Sequence, residues 1–311
     1  MPELPEVETV RIGLARLLPG KKVSTVTFDT PKSFPNAMAD VENFLIDASI
    51  ITVRRRAKVL IIDLDTMYSL VIHLKMTGQM VYVGSRQSSV ASHQNASSRE
   101  KMKVEEERFG AGHPNDSLIA QLPDTSTRVI VTFTDDSVLY FNDQRKFGWM
   151  RLLPTVEIQN IDFFKRVGPE PLESDFTADV FIQRLMRRKN SGIKAVLLDQ
   201  SVLAGIGNIY ADESLWAAQI HPESKVRAVS RKSLDRLHAE IVRILLLAIE
   251  KGGSTDRNYV NAEGKKGSYI SFAQVFRKEG APCSRCGENI IKIRVAGRGT
   301  HLCPKCQIVD S

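Results

Sequence analysis

Apolar positions along the chain change their spacing once, and this change divides the sequence into two regions. Residues 4–18 have helical spacing, with Pro5 suited to the first turn and Gly20 to the end of the helix. Short strand-like runs follow at 22–28, 50–53, 59–64, 69–74, 80–83, 129–133 and 137–141. Several short strands at such intervals predict a β-sandwich or barrel.

From about residue 176 the spacing becomes helical. A long helix is predicted to begin after Ser230, a favourable N-cap, and to end at Gly252. Residues 253–269 are rich in Gly, Ser, Asn and Lys, which is typical of a flexible loop. The predicted fold class is α+β, with an N-terminal β-sandwich and flanking helices followed by a helical region.

The strand pattern lapses between residues 84 and 126. Residues 85–108 are polar and charged with few apolar side chains. This composition favours a solvated, partly disordered insertion between two strands. We therefore expect deletion of about residues 86–108 to leave the fold and the activity largely unchanged.

All four cysteines lie near the end of the sequence, at Cys283, Cys286, Cys303 and Cys306. Two C-x2-C pairs separated by 16 residues match the spacing of a four-thiolate zinc site. The alternatives are free structural thiols or disulfides, and a reducing compartment disfavours disulfides. The spacing predicts one structural Zn²⁺ ion.

The chain of 311 residues has a formal net charge of +7, which favours a polyanionic partner, nucleic acid first. Many basic proteins bind no nucleic acid, so the charge alone does not decide this. No apolar run reaches about 18 residues, so no membrane-spanning helix is predicted. The acidic, Pro-rich start does not resemble a secretory signal, and we expect a cytoplasmic protein.

The first residues contain a possible nucleophile. Removal of Met1 would leave Pro2 with a free secondary amine, and α-amino groups are partly uncharged near neutral pH. Such an amine can attack a sugar carbon and form an iminium ion. Glu3 and Glu6 lie beside it. The alternative is an ordinary helix start, where carboxylates are favoured by the helix dipole.

Six segments in order resemble motifs of the formamidopyrimidine-DNA glycosylase family. They are MPELPEVET at 1–9, RRAK at 55–58, HLKMTG at 73–78, NDQRKFG at 142–148, LLDQ at 197–200 followed by AGIGNIYADE at 204–213, and GRGT at 297–300 before CPKCQ at 303–307. The resemblance implies a helix–two-turns–helix domain and a zinc-finger hairpin. It also implies a bifunctional enzyme that excises oxidised purines from double-stranded damaged DNA and nicks the strand by β,δ-elimination.

The resemblance also implies catalytic roles at matching positions. Pro2 would attack the sugar C1′ and form the Schiff base, while Glu3 would protonate the opening sugar, supported by Glu6. Lys58 would contact the phosphate beside the lesion and assist β-elimination. Arg298 would serve δ-elimination. Without the resemblance, Lys58 reads as a solvated edge-strand lysine and Arg298 as a hairpin arginine.

Further positions would contact the DNA. Met76, Arg145 and Phe147 would fill the space left by the extruded base, although core packing explains the two apolar side chains equally well. The expected phosphate contacts are Lys189, Asn190, Lys194 and Asn208. Arg128 stands near the position of a family histidine and would take over its DNA contact. The basic run that contains Lys189 could equally be a solvated face of the protein, which is the more common role of such runs.

The predicted domains are a catalytic domain at 1–155 with the insertion at 84–126, a DNA-binding domain at 170–270 and a zinc finger at 274–308. The resemblance includes residues 252–267, similar to a loop that closes over a flipped purine. We expect a monomer. Two alternatives are an endonuclease VIII, which shares the fold but prefers oxidised pyrimidines, and a non-catalytic zinc-dependent DNA-binding protein.

Overall fold

The computed structural model describes residues 2–89, 102–113, 116–254 and 269–310. Its first region contains two sheets flanked by helices. The helices are α1 (Leu4–Leu17), α2 (Met38–Phe44) and α3 (Asp162–Arg166), and the strands are β1 (Val23–Phe28), β2 (Ile50–Arg56), β3 (Val59–Leu64), β4 (Tyr68–His73), β5 (Gly78–Ser89), β6 (Met102–Gly112), β7 (Thr127–Phe133), β8 (Val138–Asp143) and β9 (Trp149–Pro154). The expected N-terminal β-sandwich is confirmed.

The two sheets are antiparallel, with strand orders β1-β7-β8-β5-β6 and β2-β3-β4-β9. Alternating side chains of both sheets meet in one apolar core, since each strand presents every second residue inward. Val7, Val10 and Leu14 of α1 enter the same core without solvent exposure. This packing fixes the start of α1, where the chain enters the site.

The expectation for residues 85–108 is wrong for the part that the structure describes. Strand β5 continues to Ser89, and β6 pairs with it from Met102 onwards. Backbone pairing at a sheet edge needs few apolar side chains, so periodicity gave no signal. Beyond the polar part, Phe109 packs on α1 so closely that a Cβ at Gly13 would lie 2.0 Å from its ring.

The second region is helical, with an apolar core of its own. Its helices are α4 (Ala178–Met186), α5 (Ile193–Leu198), α6 (Asn208–Ala218) and α7 (Arg231–Glu250). Ser230 caps α7 as predicted, because its hydroxyl accepts a hydrogen bond from the Ser233 amide at 3.1 Å. Helix α6 is buried on nearly all sides, so its N-terminus has a fixed position between the two regions.

A two-stranded hairpin, β10 (Ile291–Val295) and β11 (Arg298–Leu302), follows the helices. It packs on α6, and Trp216 joins Val275, Ile290 and Cys303 in a small apolar cluster. Among the described residues, no helix is long and apolar enough to span a membrane.

Candidate active site

A cleft of about 570 Å³ lies between the β-sandwich and the helical region. The candidate catalytic residues all line it: Pro2, Glu3, Glu6, Lys58 and Arg298. They come from the start of α1, the β2–β3 turn and the β10–β11 turn. The fold therefore brings together residues separated by almost the whole sequence.

Glu3 joins the two regions. Its Oε1 accepts a hydrogen bond from the Ile209 amide at 3.0 Å, at the N-terminus of α6. A Cβ at Gly207 would lie 2.3 Å from the Glu3 carboxyl carbon, so only glycine leaves room for this carboxyl. Burial raises the pKa of Glu3 from its usual 4.5 to about 7, although Lys58 opposes the shift. The carboxyl can thus hold or release a proton near neutral pH.

Glu6 is a buried acceptor that orders the cleft. Its Oε2 accepts from the Glu3 amide at 2.7 Å, as in a capping box. Its Oε1 accepts from the Tyr210 hydroxyl at 2.6 Å and from the Ser254 amide at 2.7 Å. Glu6 therefore ties α1 to α6 and to the beginning of the segment after α7.

Lys58 is only 6% exposed, unlike a solvated edge-strand lysine. Its Nζ donates to the Ile206 carbonyl at 2.8 Å. Burial lowers its pKa, while Glu3 and Glu6 oppose this shift and Arg298 adds to it. Arg298 is exposed at the rim of the cleft. Both side chains line the cleft, where they can bind a phosphate.

Glu170 holds the turn that carries Lys58, and the motifs did not single it out. Its Oε2 pairs with Arg55 and its Oε1 with Arg56, both at 2.8 Å, and it also accepts from the Ala57 amide. Ala57 has φ of 52°, which is unfavourable for a residue with a Cβ, and the carboxylate stabilises this turn. The Pro residues on either side of Glu170 were the available turn signal.

Met76 and Phe147 project from two loops of the sandwich and are 37% and 47% exposed. The guanidinium of Arg145 lies 4.8 Å from the centre of the Phe147 ring. Core packing is therefore not what places these apolar side chains. An exposed, stacked group at this position can enter a base stack.

The expected phosphate contacts separate into exposed and buried groups. Lys189 and Asn190 are exposed before α5. Asn208 lies at the start of α6 and in the wall of the cleft, where its amide nitrogen donates to the Gly299 carbonyl at 2.9 Å. These three residues remain predicted DNA contacts.

Two of the predicted DNA contacts are corrected. Lys194 has a fully buried side chain, and its Nζ lies 2.6 Å from Asp212 Oδ1 and 2.6 Å from Thr300 Oγ1. Arg128 is 6% exposed and uses its three nitrogens on Asp29, the Asp143 carbonyl and the Thr125 carbonyl. Both cations hold parts of the protein together and are not available to a phosphate. Sequence spacing cannot distinguish a buried cation from an exposed one.

The four cysteine sulfurs lie within 4.8 Å of one another. Tetrahedral thiolates about 2.3 Å from a zinc ion are separated by roughly 3.8 Å. The Cys286–Cys303 distance is 3.4 Å and the Cys283–Cys306 distance 4.0 Å, so the arrangement fits one structural zinc ion. Most of the predicted closing loop at 252–267 lies outside the described residues, which resume at residue 269.

Residues 1–150 match the formamidopyrimidine-DNA glycosylase N-terminal domain, residues 167–259 its H2TH domain, and residues 280–308 a zinc finger found in FPG and IleRS. A formamidopyrimidine-DNA glycosylase of Exiguobacterium sibiricum is 40% identical, covering 99% of each chain. One from Latilactobacillus sakei is 39% identical, covering 99% of this chain and 98% of the relative. The chain belongs to the formamidopyrimidine-DNA glycosylase family.

Solved structures of Lactococcus lactis relatives have the same fold. A mutant of that protein in complex with Fapy-dG-containing DNA is 33% identical, with a TM-score of 0.81 over 99% of this chain and 100% of that one. A complex with DNA containing an abasic site is also 33% identical, with a TM-score of 0.80 over 98% of this chain and 99% of that one. The likeness therefore extends over the β-sandwich, the helical region and the zinc hairpin together.

Proposed function

We propose that this protein binds damaged double-stranded DNA as a monomer, excises oxidised purines and then nicks the strand. The observation that carries the proposal is the cleft itself, in which Pro2, Glu3, Lys58 and Arg298 meet. All four come from one chain, so no second subunit is needed. We place the catalytic domain at 1–155, the DNA-binding domain at 170–270 and the zinc finger at 274–308.

In the first step, the Pro2 amine, freed by loss of Met1, attacks C1′ of the damaged nucleotide. The bond from C1′ to the base breaks, a bond from C1′ to the Pro2 nitrogen forms, and the proton that this nitrogen loses neutralises the departing base. Glu3 gives its proton to the ring oxygen of the opening sugar, which leaves an iminium ion on Pro2. A pKa of about 7 lets Glu3 supply this proton and later accept one.

The iminium ion then makes the C2′ proton acidic. Loss of this proton expels the 3′ phosphate by β-elimination, and a second elimination expels the 5′ phosphate. Lys58 and Arg298 would bind these departing phosphates as cations in the wall of the cleft. Glu6 stays hydrogen-bonded and positions Glu3.

DNA with an extruded base has an empty space in its stack. Met76 and Phe147 are the exposed apolar groups suited to fill it, with Arg145 donating to the acceptor edge of the orphaned cytosine. Lys189, Asn190 and Asn208 would hold phosphates on the helical side.

Borohydride trapping tests the chemistry. Reduction should link the protein covalently to DNA carrying 8-oxoguanine opposite cytosine. Pro2→Gly and a protein that retains Met1 should lose excision while still binding DNA. A non-catalytic DNA-binding protein would give no covalent product with any of these samples.

A paired excision assay tests the substrate class, with 8-oxoguanine opposite cytosine against thymine glycol opposite adenine. A Lactococcus lactis relative has also been crystallised with DNA containing an oxidised pyrimidine, so the two rates must be compared directly. We expect the purine to be released faster. Faster release of thymine glycol would favour the endonuclease VIII alternative.

A further inference from the structure

The insertion at 84–126 returns to the candidate active site. Strand β6 pairs with β5 so that Gly112 lies opposite Gln79. His113 follows, and its amide donates to the Gly78 carbonyl at 3.0 Å while its carbonyl accepts from the Gln79 side chain. Gly112 and His113 both line the cleft that contains Pro2 and Glu6.

The side chain of His113 is half-buried and, unlike its backbone, has no evident structural role. Its Nδ1 is buried, and among the described residues this atom has no hydrogen-bond partner. Because Nδ1 is enclosed by protein, the ring nitrogen that a molecule in the cleft can reach is Nε2. Burial also lowers the pKa of His113, so the imidazole is neutral near pH 7.

In a neutral imidazole Nε2 is a donor or an acceptor according to the tautomer, and either form can hydrogen-bond the edge of a nucleobase. Two cations suited to bind a phosphate, Lys58 and Arg298, already line this cleft, so a phosphate does not need His113. His113 is anchored to Gly78, two residues beyond Met76, which enters the space that the extruded base leaves. His113 and Met76 line the same cleft.

We propose that His113 is a specificity-determining residue that hydrogen-bonds the extruded base. This inference rests on the proposed glycosylase function. The insertion would thus contribute a contact to base recognition that the six family-like motifs do not contain. The contact is to the base alone, so an abasic sugar does not require it.

The test compares His113→Ala and His113→Gln with the wild-type protein and with His93→Ala, a matched substitution in the same insertion. Single-turnover excision is measured on duplexes carrying 8-oxoguanine or a formamidopyrimidine. Strand cleavage is measured on a duplex with a preformed abasic site. We expect His113→Ala to lower excision of at least one lesion about tenfold, with abasic cleavage unchanged within about twofold.

Glutamine retains a donor and an acceptor, so His113→Gln should recover part of the excision rate, and His93→Ala should match the wild type. Melting temperatures show whether a lower excision rate is caused by unfolding. If His113→Ala is unfolded, the excision rate of His113→Gln tests the base contact instead. Equal losses in both assays, or no loss in either, would overturn the assignment. A wild-type protein that cannot be trapped by borohydride would instead contradict the underlying glycosylase function.

Discussion

The Thr77 hydroxyl donates a hydrogen bond to the buried carboxylate of Asp143 and thereby joins two loops of the β-sandwich. The Thr77 loop carries Met76, and the Asp143 loop carries Arg145 and Phe147. The second Asp143 oxygen accepts from the Phe147 amide at 2.8 Å and the Gly148 amide at 2.6 Å. One carboxylate thus sets the positions of all three side chains proposed to enter the DNA.

Asp143→Asn should therefore weaken base extrusion. Asparagine has the same shape, but its NH₂ group would face hydrogen-bond donors, which costs about 1–3 kcal/mol. We expect excision of 8-oxoguanine from duplex DNA to fall about tenfold or more. Cleavage of a single-stranded abasic oligonucleotide should stay near wild type because no stack is opened. The control is Asp136→Asn in the exposed β7–β8 turn, and equal losses in both assays would contradict the idea.

Glu3 should destabilise the folded protein at neutral pH. Its folded pKa of about 7 exceeds its ordinary value of 4.5, so the native state retains a proton that the unfolded state loses. The free energy of unfolding therefore decreases as pH rises from about 4.5 to 7. Glu3→Gln should be more stable than wild type at pH 8 by about 3 kcal/mol and nearly equal at about pH 4.5. It should also be inactive in excision. Urea denaturation at both pH values measures the difference, and a pH-independent gain would count against this explanation.

The zinc hairpin should be needed for DNA binding and not for chemistry at the sugar. Cys303→Ser removes a buried thiolate, and we expect metal content to fall and DNA affinity to weaken about tenfold or more. Metal analysis and a binding isotherm test this. Ser284→Ala, adjacent to the Cys283 ligand, is the control. Intact affinity in a zinc-free Cys303→Ser protein would show that the hairpin is not required.

The two lysines on either side of Gly192 should behave differently. Lys194→Met leaves the buried Asp212 carboxylate without its cation, and we expect a loss of about 3 kcal/mol in unfolding free energy. Lys189→Met should leave stability unchanged and lower the slope of log affinity against log salt by about one. If the Lys194 variant is stable and has the lower salt slope, Lys194 is a phosphate contact after all.

Two deletions in the insertion should have opposite outcomes. Removing 90–101 spares the pairing of β5 with β6, and we expect little change in melting temperature or excision. Removing 86–108 deletes most of β6 and releases the segment that carries Phe109 and His113. This second deletion should lower both stability and excision, contrary to the expectation from the sequence alone. Equal tolerance of both would show that β6 has no role.

The helices and strands with strong apolar periodicity were predictable because each of them buries mainly one face. Ser230 and Gly252 marked the ends of α7 within about two residues. The cysteine spacing predicted a cluster that the structure places within 4.8 Å. In these cases a local pattern directly reflects a local contact.

Burial of polar groups was not predictable in the same way. Lys58, Lys194 and Arg128 have the same appearance in a sequence, yet all three are buried, two of them among structural partners. Their partners are distant in sequence, such as Asp29 for Arg128, 99 residues away. The return of β6 to the cleft was not predictable either, because the pairing of two polar strands leaves no apolar periodicity in the sequence.

In the proposed mechanism the Glu3 carboxyl is a proton donor, and through the Ile209 amide it also caps α6. Catalytic competence and the docking of the two halves of the molecule therefore cannot vary independently. A side chain at Gly207 would force the Glu3 carboxyl out of its place at the start of α6. The proposed reactive centre therefore depends on the docking of the helical region against the β-sandwich, because residues of both regions form it.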